Sequence, residues 1–399
     1  MDRSLRAPMP LSPLGEPPLP ATLKRLNMRR FVDELRHRGP STRADLARIT
    51  GVSAPTSSKA ILELQEMGLL EPVPEPASTK GRPAILYRLA TRTAYLLAGV
   101  IRERECAVMP GNLDGTLAPH RAVRFPTPER YEELLARLAS AVQEVEDGHG
   151  GHCLGLGLSV PGLLNEARGQ VVFSPNAHLL DGRLLTDDLQ ALVSPRVVCV
   201  QADHGLCLAE QALGQARSLR DFAVIDLASG LGLGIVSGGR YVGGQSGFAG
   251  GLGHVTVEPE GILCGCGNRG CLQKVASDDA FVSAVSARLG RAVTMEEVVR
   301  MAQSDELDVR TELDRTLGYL AIGVAAVINL LNPAAIFING ALFDADDGAF
   351  HRLVEAVRRR GLRPSVAHCS LIRAQANDAL GALSYAIEDV LASVGPKLA

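Results

Sequence analysis

The sequence predicts a mixed α/β chain: a small helical module with a β wing, then a larger body of two β-rich, helix-crossed halves. Three observations carry this reading. Two short amphipathic stretches near the N-terminus are parted by a single glycine. From about residue 91, short apolar runs alternate with helical periodicity. That alternation starts afresh near residue 222 with a similar set of runs. A chain of 399 residues is too long for one core, so two or three domains are expected. We divide it into a disordered proline-rich tail over 1–20, the helical module over 21–90 and the body over 91–399.

Composition narrows the function classes. Apolar residues make up 46 % of the chain, ample for a buried interior. No run approaches the eighteen or so uncharged apolar residues of a membrane span, and residues 1–20 hold six prolines and no apolar signal core. No membrane partner and a cytoplasmic location are expected. Charge is unevenly spread: residues 22–90 carry twelve Lys/Arg against seven Asp/Glu, a net of +5, and residues 1–21 are neutral, so a total of −3 leaves −8 for the remainder. A basic module on an acidic body suits a nucleic-acid binder with a separate sensor, although a solvated helical surface gives the same count.

In the module, Leu26–Arg38 is amphipathic, with Phe31, Val32 and Leu35 on one side, and ends at Gly39-Pro40. Ser41 or Thr42 can cap a helix that turns Leu46 and Ile49 inward. Gly51 permits a left-handed turn, and Ser53 caps a second helix whose Ile61, Leu62 and Leu64 face back. This is helix-turn-helix spacing. Pro55, Thr56, Ser57, Ser58 and Lys59 then lie at the N-terminal end of the second helix, where base edges are read. A strand begins at Leu69-Leu70, and a second covers Ala84–Leu89. Lys80–Pro83 sits at the tip between them, a wing that places Lys80 and Arg82 against phosphates or in the minor groove. A helical protein-interaction module is the competing reading; length, glycine position and wing favour double-stranded DNA.

The body reads as strands at Tyr95–Ile101, Cys153–Val160, Val171–Ser174 and Val197–Ala202, with a turn at Leu113–Thr116 and helices at Glu129–Val145 and Gly205–Gly214. The second set has strands at Phe222–Ala228, Leu231–Arg240 and Ala334–Gly340, helices within 278–331 and a last helix at Asp378–Leu391. Two such halves imply two lobes around a ligand cleft. Cys106, Cys153, Cys199, Cys207 and Cys369 are scattered in apolar sequence and read as core residues.

Residues 253–273, GHVTVEPEGILCGCGNRGCLQ, crowd three cysteines into eight residues, ten positions after a histidine. Free thiols in a loop are one reading. Disulfides would be strained, because cysteines one residue apart rarely meet. The pattern Gly-His-x9-Cys-x-Cys-Gly-Asn-x-Gly-Cys-Leu over 253–272 resembles the signature of the ROK family, which comprises repressors, open reading frames and sugar kinases. SVPGLL (159–164), SPNA (174–177), ASGLGLGIVSGG (228–239) and NLLNP (329–333) follow in family order, and the resemblance runs from about residue 22 to the end. It implies an actin/hexokinase-like, ribonuclease H-like two-lobed body. GRP after a winged helix-turn-helix marks the repressor branch. The resemblance also implies a structural Zn²⁺ held tetrahedrally by His254, Cys264, Cys266 and Cys271. Gly265, Gly267 and Gly270 would let the backbone curl between ligands through positive φ.

The family's kinases carry a turn like Asp-x-Gly-Gly-Thr at the start of the body, whose backbone amides approach phosphate and whose acid helps hold magnesium. Here the sequence is Gly99-Val100-Ile101-Arg102-Glu103-Arg104-Glu105, with which that tight turn is not expected to form. The general base survives as Asp203, but the Asn before it is Ala202. No catalytic residue and no kinase activity are therefore expected. Carried over by position, the ligand groups are Gly162, Asn176, Asp203 and His254, with Gln273 where the family has an acid; a second family acid is replaced by Gly251. Each lost charge-assisted bond could weaken a hexose by roughly 1.5–3 kcal/mol, so two could cost about a hundredfold. The effector is then a modified sugar or derivative, an ordinary sugar, or absent. The expected function is a transcriptional regulator of the repressor type, acting as a homodimer or tetramer on palindromic operator DNA. The alternatives are a sugar kinase with a DNA-binding head and a ligand-independent regulator.

Overall fold

The computed structural model describes residues 20–74, 85–228 and 230–395. The tail up to residue 19 and the wing tip with Lys80 and Arg82 lie outside the described residues. Two compact units are present: one runs to Leu89 and is rejoined from Leu391, and the other is Ala90–Val390. The sequence placed everything after residue 91 in the body, so the return of Leu391 onward to the first unit is a difference. Its cause is local. Arg25 donates from Nε to the Val394 carbonyl at 3.3 Å and from Nη2 to that of Ala392 at 3.1 Å, satisfying the open end of the last helix.

In the first unit, helices Pro20–Arg38, Arg43–Thr50 and Ala54–Glu66 pack beside a three-stranded antiparallel sheet in the order Ser41–Thr42, Ile85–Leu89, Leu70–Pro74. Thr42 caps the second helix through the Asp45 N–H, Gly51 ends it at φ 71°, and Ser53 caps the third through the Thr56 N–H. Phe31, Val32, Leu35, Leu46, Ile61 and Leu64 are buried. Two expectations fail for one reason. The inward stripe of the third helix is Ser57, Ala60, Ile61 and Leu64, the i, i+3, i+4, i+7 set. Leu62, expected inward, is therefore 57 % exposed. Ser57, expected at the DNA, is fully buried, its hydroxyl donating to the Arg43 carbonyl at 3.1 Å.

The body holds two five-stranded sheets of identical topology. The first runs Val123–Pro126, Glu105–Gly111, Ala94–Ile101, His152–Val160, Val197–Gln201; the second runs Arg240–Tyr241, Gly232–Ser237, Phe222–Asp226, Ala335–Asn339, Ser370–Arg373. In each, the first three strands in sequence are antiparallel and the fourth and fifth join in parallel, giving the order 3-2-1-4-5. Helix Tyr131–Asp147 covers the first sheet through Leu134, Leu138 and Val142. Helix Arg310–Leu331 covers the second through Leu313, Leu317, Leu320 and Val324. That helix is long and apolar enough in composition to cross a membrane, and its place is the centre of this core. Helices Leu185–Gln190, Ala349–Arg358 and Arg363–Ala367 and strands Val123–Pro126 and Ser370–Arg373 had no separate sequence signal. Of the five scattered cysteines, Cys106, Cys199 and Cys207 are buried, and Cys153 and Cys369 are half-buried.

The final helix, Asp378–Val394, lies against bare backbone. A Cβ on Gly157 would sit 2.0 Å from the Ala382 carbonyl oxygen, and one on Gly381 would sit 2.8 Å from the Gly205 carbonyl carbon. Gly157→Ala should destabilise the protein by roughly 1–3 kcal/mol in denaturant unfolding. Gly150→Ala, where nothing lies within 4 Å, should not.

Candidate functional site

The 253–273 stretch folds into a knuckle. The Cys264 N–H donates to the Asn268 carbonyl and the Gly267 N–H to that of Cys264, while the Leu272 N–H reaches back to Val255. His254 closes the 3₁₀ turn Gly251–His254. This brings one donor atom each from His254, Cys264, Cys266 and Cys271 within 4.8 Å of one another. Cys264 Sγ lies 3.7 Å from His254 Nδ1, and Cys266 Sγ lies 3.6 Å from Cys271 Sγ. Bonds of zinc length in a tetrahedron set S···N near about 3.5 Å and S···S near about 3.8 Å, so three thiolates and one imidazole here fit such an ion. Two of the three glycines behave as expected: Gly267 has φ 91° and Gly270 has φ 63°. Gly265 does not adopt positive φ. It is required for space, since its Cβ would sit 2.0 Å from the Pro175 carbonyl oxygen.

That contact joins the knuckle to the polar residues expected at the ligand. Asn176 follows Pro175, and its Oδ1 accepts from Gln273 Nε2 at 3.3 Å. Gln273 Nε2 also donates to Cys264 Sγ at 3.2 Å. Gly162, at φ 91°, passes so close to the Phe173 carbonyl that a Cβ would sit 2.5 Å from it. Asp203 opens the helix Ala202–Ala212 and is buried; its Oδ1 accepts from Gln201 Nε2 at 2.9 Å and from the His204 N–H at 3.0 Å. Burial pushes its pKa up to about 6. The glycine-rich segment closes over the set: a Cβ on Gly230 would sit 2.7 Å from Asn176 Nδ2 and 3.1 Å from Gln273 Oε1, and one on Gly250 would sit 3.0 Å from Asp203 Oδ2.

Several neighbours carried no sequence signal. Gln201 orients Asp203 while accepting the Leu164 N–H at 3.1 Å. His204 places Nδ1 2.7 Å from Glu166 Oε1 and stacks on Tyr241 at 3.9 Å between ring centroids. Tyr385 donates to the other Glu166 oxygen at 3.4 Å. These residues lie far apart in sequence, and only the fold assembles them.

The segment at residues 99–105 corrects one expectation. A tight turn does form: Ile101 pairs with Cys106, and the Arg102 N–H donates to the Glu105 carbonyl at 3.2 Å. What fills it is charge. Arg102 Nε donates to Asp378 Oδ2 at 2.7 Å, and Arg104 lies 3.9 Å from Asp279. Beside Arg102, burial and then Asp378 raise the pKa of Asp226, whose Oδ1 accepts from Asn339 at 2.6 Å. In the helix-turn-helix, Pro55, Thr56 and Lys59 are exposed and Ser58 is half-buried, its hydroxyl 3.3 Å from Arg43 Nη1.

Because Asp203 holds its proton in the folded chain where an unfolded one has lost it, stability should fall as pH rises from near 4 through about 6. Asp203→Asn should remove that fall. It should gain roughly 1–3 kcal/mol over wild type at pH 8 and nothing at pH 4, read by thermal unfolding at both pH values.

Residues 104–387 match the ROK family. The xylose repressor of Bacillus spizizenii is 24 % identical over 327 residues, covering 81 % of this chain and 84 % of that protein. The DNA-binding transcriptional dual regulator NagC of Escherichia coli K12 is 25 % identical over 373 residues, covering 89 % and 90 %. Glucokinases are among the relatives as well. A solved ROK-family transcriptional regulator, a homolog of the E. coli MLC protein, superposes with TM-score 0.75 at 24 % identity over 93 % of this chain and 98 % of that one. The doubled 3-2-1-4-5 sheet is the two-lobed, actin/hexokinase-like arrangement expected from the sequence. The chain belongs to the ROK family.

Proposed function

We propose that this ROK-family protein is a transcription regulator that binds operator DNA through its winged module and senses a small sugar-like effector in its body. One observation carries the reading: the third helix buries Ser57, Ala60, Ile61 and Leu64 and leaves Pro55, Thr56 and Lys59 exposed at its N-terminal end. A helix held so, behind a glycine turn, can enter the major groove and set Lys59 against phosphate or base edges. Ser58, with Arg43 beside it, is a backbone-positioning group; Ser57 is internal. The names of relatives matched over most of their length, a xylose repressor and a DNA-binding transcriptional dual regulator, support the same reading. A homodimer suits a palindromic site.

Zinc in the His254/Cys264/Cys266/Cys271 cluster is part of this reading. When bound, such an ion supplies a closed structural clamp with no open position for water. The effector groups are Gly162, Asn176, Asp203 and His254. Gln273 replaces an acid and has both N–H groups committed, so a plain hexose loses acceptors here. A modified or less polar sugar fits the set better.

Relatives that are kinases favour a second reading, phosphoryl transfer. Against it, Arg102 brings a guanidinium, paired to Asp378, to the turn where an acid and glycines would meet magnesium and phosphate. We therefore read the protein as a non-enzyme.

Fluorescence anisotropy on DNA from the protein's own upstream region tests the main reading. Lys59→Ala should weaken binding across sequences and lower the salt slope by about 1. Ser57→Ala should instead cost about 1 kcal/mol of stability. Failure of the wild type to bind would overturn the reading. Cys266→Ser should purify without the zinc that elemental analysis finds in wild type, and should melt at lower temperature.

A further inference from the structure

We propose that Gln273 is a positioning residue that ties the metal-ligating Cys264 to Asn176, so that metal occupancy sets the orientation of an amide at the effector site. This rests on the zinc and effector reading above. Gln273 opens the short helix Gln273–Ala276, immediately after the last cysteine of the knuckle and Leu272, and is only 5 % exposed.

A carboxamide nitrogen carries two hydrogens and no more. Both are committed: one is directed at Cys264 Sγ at 3.2 Å and the other at Asn176 Oδ1 at 3.3 Å. The chemistry fixes which end of the amide points where, because a thiolate only accepts. An N–H directed at a metal-bound sulfur withdraws charge from it and holds its side chain in place, the usual work of groups just outside a metal's ligands. The acceptor, Oε1, faces the glycine-rich segment, 3.1 Å from where a Cβ on Gly230 would lie. The amide nitrogen is thus saturated in two directions.

Asn176 gains its orientation from this arrangement. Its Oδ1 is held by Gln273, and a side chain at position 230 would collide with its Nδ2, so only glycine leaves that end of the amide its place. The preceding carbonyl, of Pro175, rests on Gly265 inside the knuckle. The loop that presents Asn176 therefore touches the cysteine cluster twice, once through backbone and once through Gln273. A glutamate at 273 could not make the first contact: a carboxylate has no hydrogen for Cys264 Sγ and would place a second negative charge beside it. Glutamine is the side chain of that length that can bridge a thiolate and an amide oxygen.

The test uses the full-length chain with metal alone as the probe. Zinc affinity is measured by chelator competition, and the cobalt-substituted protein reports sulfur-to-metal charge transfer by absorbance. Gln273→Glu should hold zinc about 10–100-fold more weakly than wild type. Asn176→Ala, which removes no metal ligand, should shift the charge-transfer band because Gln273 loses its second anchor. Circular dichroism checks that both variants fold, and the second serves if the first does not. Unchanged zinc affinity in Gln273→Glu, or an unchanged band in Asn176→Ala, would overturn the tie while leaving the zinc reading intact. A wild-type protein that purifies without zinc and does not take it up would overturn the metal reading, and the tie with it.

Discussion

Three sulfurs and one imidazole nitrogen within 4.8 Å of one another are the constraint on which the rest of the body's site depends. Without a cation between them, the four side chains have little reason to converge; with one, each ligand bond would also be a fold contact. The knuckle adds geometry to that chemistry. Gly265 seats the Pro175 carbonyl and Gly270 seats that of Glu258, so two loops are pressed onto the cluster at positions where any side chain would collide. Tyr319 and Arg315 on the long core helix then pair with Glu258, fastening the knuckle to the second lobe. His254, Gln273 and Asn176 are placed by this assembly rather than by their own helices.

The same scaffold serves phosphoryl transfer in some relatives and DNA regulation in others, which is why function has to be argued from sites. Two sites separate the cases here. At the hairpin around residue 102, the backbone still turns tightly, but the space beside it holds Arg102, Asp378 and Asp226 in one charged cluster. An ion pair with one half-exposed partner is poor evidence of stability, since solvent screens much of its attraction. Its importance is positional: it sets a guanidinium, paired within the chain, beside the turn. At Asp203, the carboxylate is retained, oriented by Gln201 and the His204 N–H, and its pKa is raised by burial. A group kept at that energetic cost is suited to meeting a ligand, in keeping with the proposed sensor.

Much of the fold was legible in sequence because the signals were local. Thr42, Gly51 and Ser53 are cap and turn residues that act within three or four positions, and all three do so in the structure. The strands at Ala94–Ile101 and Phe222–Asp226 are apolar runs buried on both faces, and they mark the first strand of each sheet. Ser57 and Leu62 were misread because helical phase was assigned from hydrophobicity: a small polar residue took the inward position and a leucine the outward one. The cysteine cluster was legible because spacing and residue type coincide. The Gln273–Asn176 contact, the His204–Glu166 pair and the Arg102–Asp378 bridge were not, since their partners are 38 to 276 residues apart and meet only through the tertiary fold. The identity of residue 102 showed a basic side chain at the turn, but not that Arg102 would pair with Asp378.

On the proposed reading, the chain keeps a ROK body and does not carry out phosphoryl transfer. The most direct measurement is ADP formation by the purified protein with magnesium and ATP across a panel of hexoses, amino sugars and their derivatives. The expected result is no sugar-dependent ADP above the protein-free control. Sugar-dependent turnover that disappears in Asp203→Asn would contradict it, because it would mean that Arg102 leaves room for a nucleotide after all.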